Sequence, residues 1–192
     1  MIAPFVRLAL VAAFAAAAIP LTGCAPVIVA GAAGAALVAT DRRSAGAQLD
    51  DTTIETKLAA SYASTWGDRA HVSVTSYNGV VLLSGEVPDQ AAWAEAGSRA
   101  KATDRVRAVH NELAVGPSTD LATRTNDTYI TSKVKTRFVE ANRFSATHVK
   151  VVTERGTVFL MGLVSRQEAD AAGEIAATTS GVARVVRLFE VS

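Results

Sequence analysis

The single cysteine of this chain, Cys24, is the residue whose chemistry is easiest to assign from the sequence. It follows an apolar N-terminal run and closes the tetrapeptide Leu21-Thr22-Gly23-Cys24. A lone cysteine has no partner for an internal disulfide and no second thiolate for a metal or redox pair. We therefore interpret Cys24 as a point of covalent attachment, and the residues before it as a segment that is removed.

The segment before Cys24 has the three parts of an export signal. Residues 1–7 carry one positive charge, residues 8–18 are an unbroken apolar run, and Ile19-Pro20 interrupt that run before a small-residue site. The run is shorter than the ~20 residues that cross a bilayer core. This layout is typical of a secretory signal peptide. An ordinary signal followed by a chance cysteine is the alternative.

The tetrapeptide that ends at Cys24 resembles the lipobox of bacterial lipoproteins, in which a leucine and two small residues precede the cysteine. The resemblance implies that Cys24 becomes the mature N-terminus and carries acyl chains. Two such chains suffice for lasting attachment, because each buried CH₂ contributes ~0.8 kcal/mol. Ala25 follows where an Asp would favour retention in the inner membrane, so the resemblance implies the periplasmic face of the outer membrane.

The residues directly after Cys24 are apolar but rich in Ala and Gly. Gly31 and Gly34 weaken any helix in the segment 25–39. It either lies against the bilayer beside the acyl chains or forms a loosely ordered tether, and we favour the tether. The expected order is a signal peptide at 1–23 and a lipidated N-terminus with its tether at 24–46.

The rest of the chain contains two copies of one unit. The matching segments are 51–58 with 127–134, 78–85 with 155–162, and 106–115 with 182–191. The offset is 76 residues at both ends and 77 in the middle. The predicted boundaries are 47–116 for the first domain, 117–125 for a linker, and 126–192 for the second domain.

Each copy predicts the element order helix, strand, strand, helix, strand. Apolar residues recur every fourth position from Ile130 to Phe138, which indicates an amphipathic helix, and Asp127 stands where an N-cap would. Asn78-Gly79 between apolar runs predicts a hairpin, because both residues tolerate positive φ. The last strand follows a helix and is expected to be parallel to its neighbour. The fold class is therefore α+β, with two helices and a small mixed three-stranded sheet in each copy.

Two further patterns concern packing. Ser165 and Glu168 have the spacing of a capping box at the start of a helix. In the second strand of the second copy, Val158 and Leu160 point to one face and Phe159 to the other, so both faces are apolar. Helices cover only one face. We expect the partner domain to cover the other, the alternative being scattered exposed apolar residues.

Composition and spacing exclude several functions. Lys and Arg number 19 against 18 Asp and Glu, which argues against the broad basic footprint of a nucleic-acid binder. His71 and His148 occupy equivalent positions, which favours a structural role, and His110 has no counterpart. No metal-ligand spacing, nucleophile elbow or phosphate loop is present. We therefore expect no enzyme activity, cofactor or metal.

The repeated pattern resembles the BON domain. Each copy has a helix, a Val-x-Val strand, Gly-x-Val-x-Leu-x-Gly, an Ala-rich helix and a final strand, and the resemblance spans nearly the whole chain after Cys24. Two such domains behind a lipobox resemble the dual-BON outer-membrane lipoproteins. The resemblance implies a non-enzymatic periplasmic protein. It also implies that the protein binds anionic phospholipid through its second domain, concentrates at division sites and supports envelope integrity.

The sequence itself favours the second domain as the lipid contact. Tyr129, Lys133 and Arg137 share one helix face, and Lys135 adds charge nearby. An aromatic ring beside cations suits a headgroup layer, where each cation contributes ~1 kcal/mol with anionic lipid. A solvated helix face is the alternative for these residues.

The first domain offers no equivalent face. Its matching positions hold Thr53, Lys57, Ala60 and Ser61, which lack the ring and the second cation. A protein-interaction adaptor is the alternative function. In that case the domains would dock on an envelope assembly, cell-wall or division machine, and the lipid anchor would only localise the protein.

Overall fold

The structure is a computed structural model that describes residues 41–191. The predicted signal peptide, the lipid attachment at Cys24 and the apolar part of the tether lie outside the described residues, and those assignments stay predictions. No helix in the described range is long and apolar enough to cross a membrane.

Two αββαβ domains follow one another along the chain, which confirms the predicted fold class. The first contains α1 (Ala45–Trp66), β1 (His71–Tyr77), β2 (Val80–Val87), α2 (Gln90–Lys101), β3 (Ala108–Asn111) and β4 (Ala114–Val115). The second contains α3 (Leu121–Ala141), β5 (Lys150–Glu154), β6 (Thr157–Val164), α4 (Arg166–Ala177) and β7 (Arg184–Val191). The capping box of Ser165 and Glu168 opens α4 as its spacing indicates.

Each sheet mixes an antiparallel hairpin with a parallel last strand. β1 pairs with β2 and β5 with β6 in antiparallel fashion, whereas β7 is parallel to β6. In the first domain the last strand is split, so β3 and β4 both pair with β2 and the sheet has four strands rather than the expected three. The split occurs where Leu113 leaves the ladder and is buried in the core.

Each domain has its own core, formed by its two helices and one face of its sheet. In the second domain Ile130, Val134 and Phe138 of α3 pack with Val158 and Leu160 of β6. The first domain builds the equivalent core from α1, β2 and α2. The apolar stripe predicted along α3 is therefore the side that faces the core.

The other faces of the two sheets pack against each other. Tyr77, Val80 and Leu82 of the first domain form one buried cluster with Phe159 and Met161 of the second. This confirms that the partner domain covers the second apolar face of each central strand. Burying these faces adds apolar contact area to two domains that are each close to the lower size limit for an independent core.

Asp127 does not cap α3, contrary to the sequence prediction. The helix begins earlier, at Leu121, within the segment 117–125 predicted as a linker, and Asp120 is its N-cap. Asp127 lies inside the helix and is buried. Its carboxylate accepts the backbone N–H groups of Arg155 and Gly156 at 2.7 and 2.9 Å.

Asp51 has the same role in the first domain. It accepts the N–H groups of Asn78 and Gly79 at 2.7 and 2.8 Å. Both residues have positive φ, as the hairpin prediction requires. The repeated Asp is therefore a helix residue that fastens the hairpin turn of its own domain, because its buried carboxylate supplies an acceptor to the turn N–H groups.

The glycine that ends each Gly-x-Val-x-Leu-x-Gly motif is required by a close backbone contact. A Cβ at Gly85 would lie 2.0 Å from the His71 carbonyl oxygen, and one at Gly162 would lie 2.3 Å from that of His148. No side chain fits at such distances. The two histidines thus occupy equivalent structural positions, as predicted.

Candidate functional site

A groove runs along the exposed side of the second domain, between α3 and the segment that follows α4. Its volume is about 500 Å³. The lining residues are Tyr129, Ser132, Lys133, Thr136, Arg137, Thr178, Thr179 and Ser180. Three of the four residues predicted to contact lipid therefore lie together in one concave site.

Tyr129 and Lys133 form the more exposed end of this groove. The Tyr129 side chain is 61% exposed, and Lys133 Nζ lies 4.6 Å from the centre of its ring. Lys133 Nζ also donates a hydrogen bond to the Ser180 carbonyl oxygen across the groove. The ammonium group is thus held over an aromatic face, a favourable cation–π arrangement, with its charge at the rim of the groove.

Arg137 lies deeper and also stabilises the fold. Its Nη1 donates to the Ile175 carbonyl oxygen at 3.0 Å and to Thr179 Oγ1 at 2.8 Å. Ile175 belongs to the last turn of α4, where carbonyl groups lack helical partners and favour a nearby cation. Arg137 therefore brings positive charge to the groove while joining α3 to the end of α4.

Lys135 is exposed but does not line the groove. Successive helix residues are about 100° apart, so a residue two positions from Lys133 and Arg137 lies on a different side of α3. The side chain shares that outward side with Val139, which is 67% exposed. Contact of Lys135 with lipid stays a prediction and would require a surface wider than the groove.

Sequence reasoning identified one wall of the groove and missed the other. The second wall is Thr178, Thr179 and Ser180, which carry no charge or ring that would single them out. The only local signal is Gly181, which has φ +94° and lies so close to α3 that a Cβ would be 3.2 Å from Ile130. Its conformation lets the chain turn tightly against the helix.

The first domain has a smaller groove at the equivalent position. Its volume is about 290 Å³, and its lining includes Asp50, Lys57, Asp104 and Arg105. Arg105 forms an ion pair with Asp50. The lining here thus holds two carboxylates and two cations, whereas the residues that line the second-domain groove include two cations and no carboxylate. The charge difference predicted between the domains is therefore larger than the helix faces alone suggest.

The chain that leads from the predicted tether into α1 is fastened to the second domain. Arg42 donates to both carboxylate oxygens of Glu168, at 2.7 and 2.9 Å, and to the Leu163 carbonyl oxygen at 3.0 Å. The hydrogen bonds from Arg42 lower the pKa of Glu168 to about 2. Arg43 pairs with Asp51 of the first domain at 2.8 Å. Two successive arginines therefore hold this segment against both domains.

The BON domain family profile matches this chain twice, over residues 50–117 and 126–192. The outer membrane lipoprotein DolP of Haemophilus influenzae is 40% identical over 172 residues, which cover 88% of this chain and 89% of that protein. A 21 kDa hemolysin of Actinobacillus pleuropneumoniae is 35% identical over 151 residues, 78% of each chain. The osmotically-inducible protein Y of Escherichia coli K12 is 33% identical over 141 residues, 71% of this chain and 70% of that protein.

These matches agree with the duplicated fold and with the resemblance stated from the sequence motifs. The family profile covers both domains, and the Haemophilus influenzae relative, which is named as a lipoprotein rather than an enzyme, spans nearly the whole chain. The chain belongs to the BON-domain family and is a DolP-like outer-membrane lipoprotein with two BON domains in tandem.

Proposed function

We propose that this protein is a non-enzymatic membrane-surface module that binds anionic phospholipid headgroups in the groove of its second domain. The observation that carries the proposal is the charge of that groove. Lys133 and Arg137 line it without a neighbouring carboxylate in the lining, and Tyr129 stands exposed at its rim. An anionic headgroup would meet the two cations while the tyrosine ring lies at the interface.

The exposed side of α3 supports the same orientation toward a membrane. Leu121 and Val139 lie on the side of α3 that also carries Lys135, next to the side that carries Tyr129. They are 79% and 67% exposed, and Tyr129 is 61% exposed. Large apolar side chains in such positions favour a partner surface that removes them from water. Together with the lipid anchor predicted at Cys24, the groove would give the protein a second membrane contact, one that depends on lipid charge. Through this contact we propose that the protein gathers where anionic lipid is abundant, including division sites, and supports envelope integrity.

Vesicle flotation tests the proposal. The three hydrophobic clusters are built from residues 41–191, so a fragment of residues 41–192 retains them and lacks the anchor. We expect this fragment to float with vesicles that contain phosphatidylglycerol and not with phosphatidylcholine alone. Lys133→Glu should abolish flotation. Lys57→Glu, the same change at the equivalent position of the first domain, should leave it unchanged. Equal recovery with neutral vesicles, or equal effects of the two variants, would contradict the proposal.

A protein-interaction adaptor is the second candidate, favoured by the same exposed apolar residues of α3. The partner would be an envelope assembly, cell-wall or division protein. A photo-crosslinking residue at Val139 distinguishes the two functions in cells. A dominant protein adduct would favour the adaptor, whereas crosslinks to lipid alone would favour the membrane-surface module.

A further inference from the structure

Three side chains with metal-binding atoms meet at one edge of the contact between the two domains. His71 starts β1 and Glu86 lies near the end of β2, both in the first domain, whereas Glu154 ends β5 of the second. One nitrogen or carboxylate oxygen from each lies within 4.8 Å of the other two. His71 and Glu86 are paired in the β1–β2 hairpin, whereas Glu154 is far from both along the chain and joins them only when the domains pack. The sequence spacing therefore predicts no metal site here.

His71 and Glu86 are within hydrogen-bond distance of each other, and the distances among the three side chains also fit a small tetrahedral ion. His71 Nδ1 lies 3.3 Å from Glu86 Oε2 and 4.0 Å from Glu154 Oε1. Hydrogen bonds to a charged carboxylate are usually about 2.7–2.9 Å. Ligand atoms around a tetrahedral ion with bonds of about 2.0–2.1 Å are separated by about 3.3 Å. Glu154 would need to approach His71 by less than about 1 Å.

Glu86 provides the second observation. It is only 1% exposed, and its Oε2 accepts the backbone N–H of Thr119 at 3.1 Å and the Thr119 hydroxyl at 3.3 Å. Its other oxygen, Oε1, is buried and accepts no hydrogen bond within the described part of the chain. A buried carboxylate oxygen without a donor is costly. A cation that both carboxylate oxygens of Glu86 reach would provide the interaction that Oε1 lacks.

The nearby guanidinium of Arg124 is engaged by the same threonine. Its Nη2 donates to the Thr119 carbonyl oxygen at 2.8 Å, and its Nε lies 3.5 Å from Thr119 Oγ1. Among the described residues Arg124 forms no ion pair with Glu86 or Glu154, although its charge and that of Arg155 act on Glu154 from a distance. Two carboxylates thus face each other across the domain contact beside a histidine, an arrangement that a divalent cation stabilises by charge neutralisation.

We propose that His71, Glu86 and Glu154 bind a divalent transition-metal ion of the Zn²⁺ type, which joins the two domains. One imidazole and two carboxylates form a mixed nitrogen and oxygen set that suits Zn²⁺. Ca²⁺ and Mg²⁺ prefer oxygen ligands alone. Three protein ligands leave a fourth position for water. Because the ligands come from both domains, the ion binds most tightly when the domains are packed as in this structure.

The second domain supplies a matched control. His148 is the counterpart of His71, but Leu163 and Tyr77 stand at the positions equivalent to Glu86 and Glu154. The His148 ring lies 3.7 Å from one carboxylate, that of Glu168, and Arg42 already donates to both oxygens of that carboxylate. The same fold thus presents a histidine at the equivalent position without the two carboxylates of the proposed site.

Titration with ZnCl₂ tests the site. The full-length protein is purified in detergent through a tag without histidine, stripped with a chelator, and titrated by calorimetry. We expect one Zn²⁺ per chain. His71→Asn and Glu154→Gln should each weaken Zn²⁺ binding by at least about 100-fold. Removal of an outer-shell partner of a metal ligand already costs up to about 100-fold in affinity, and these substitutions remove a ligand itself. His148→Asn should bind like the unmodified protein. Zn²⁺ should also raise the thermal midpoint of the unmodified protein but not of Glu154→Gln.

Three results would overturn the proposal: no stoichiometric Zn²⁺ binding, equal binding by the unmodified protein and Glu154→Gln, or equal affinity for Zn²⁺ and Ca²⁺. Near-UV circular dichroism checks that each variant is folded. If His71→Asn does not fold, Glu154→Gln decides the result, since the substitution preserves the shape of a partly exposed side chain.

Discussion

The carboxylate of Asp127 accepts the backbone N–H of Gly156 at 2.9 Å, so a residue inside α3 fixes the hairpin turn between β5 and β6. The same carboxylate accepts the N–H of Arg155. Because Asp127 is buried, water would not easily replace it. The first helix and the hairpin of each domain are therefore joined through one side chain.

Asp127→Ala should lower the free energy of unfolding by about 3 kcal/mol, because it leaves two turn N–H groups without their acceptor. Urea denaturation measures the effect. Asp120→Ala is the control, since loss of an exposed N-cap costs about 1 kcal/mol. Similar losses for the two variants would show that the buried carboxylate has no special role.

Phe159→Ala should destabilise the protein by about 3–5 kcal/mol, although Phe159 belongs to neither of the two domain cores. The side chain is 2% exposed and lies in the cluster between the domains. Val139→Ala, at a site that is 67% exposed, should change stability by less than about 0.5 kcal/mol. A small effect of Phe159→Ala in urea denaturation would contradict the packing of the two sheets on each other.

Acid should weaken the contact between Arg42 and Glu168. The pKa of Glu168 is lowered from 4.5 to about 2 in the folded protein, so the unfolded chain binds the proton more readily. The stability from this pair is fully present above pH 4.5 and is lost as the pH falls toward 2. Glu168→Gln should flatten the dependence of stability on pH between 4.5 and 2. Above pH 5, the slope of stability against pH should be the same in the variant and in the unmodified protein.

The Glu168→Gln variant keeps the geometry of the capping box, because glutamine can also accept the Ser165 N–H. A change in stability near neutral pH therefore reports the lost ion pair with Arg42 rather than the lost cap. If stability depends on pH between 4.5 and 2 in the same way in the unmodified protein and in Glu168→Gln, another carboxylate causes the loss of stability in acid.

Lys133→Ala and Lys135→Ala should differ in their effect on vesicle binding, although both remove one positive charge from α3. Lys133 lines the groove and Lys135 does not. Loss of about 1 kcal/mol for Lys133 corresponds to a roughly fivefold weaker affinity for phosphatidylglycerol vesicles. Lys135→Ala should have a smaller effect, and partition measured at several salt concentrations tests this. Equal effects would indicate a diffuse basic surface instead of a groove.

Several features could be predicted because their causes are local. The four-residue apolar period indicated the core side of α3, and Asn78-Gly79 indicated the turn of the first hairpin. The apolar character of both faces of β6 predicted that the domains pack together. Asp127 was misinterpreted because aspartate is common at N-caps. The two N–H groups that donate to its carboxylate lie 28 and 29 residues further along the chain.

By itself, the sequence determined the duplicated αββαβ order and the face of α3 that carries Tyr129 and Lys133, and it predicts an export signal that ends before Cys24. Periodicity, turn residues and motif spacing express these features within short segments. Only the tertiary structure decided which residues meet across the sheets. It placed Thr179 opposite Arg137 and brought Glu154 to His71, because both relationships arise from packing between elements that are distant in sequence.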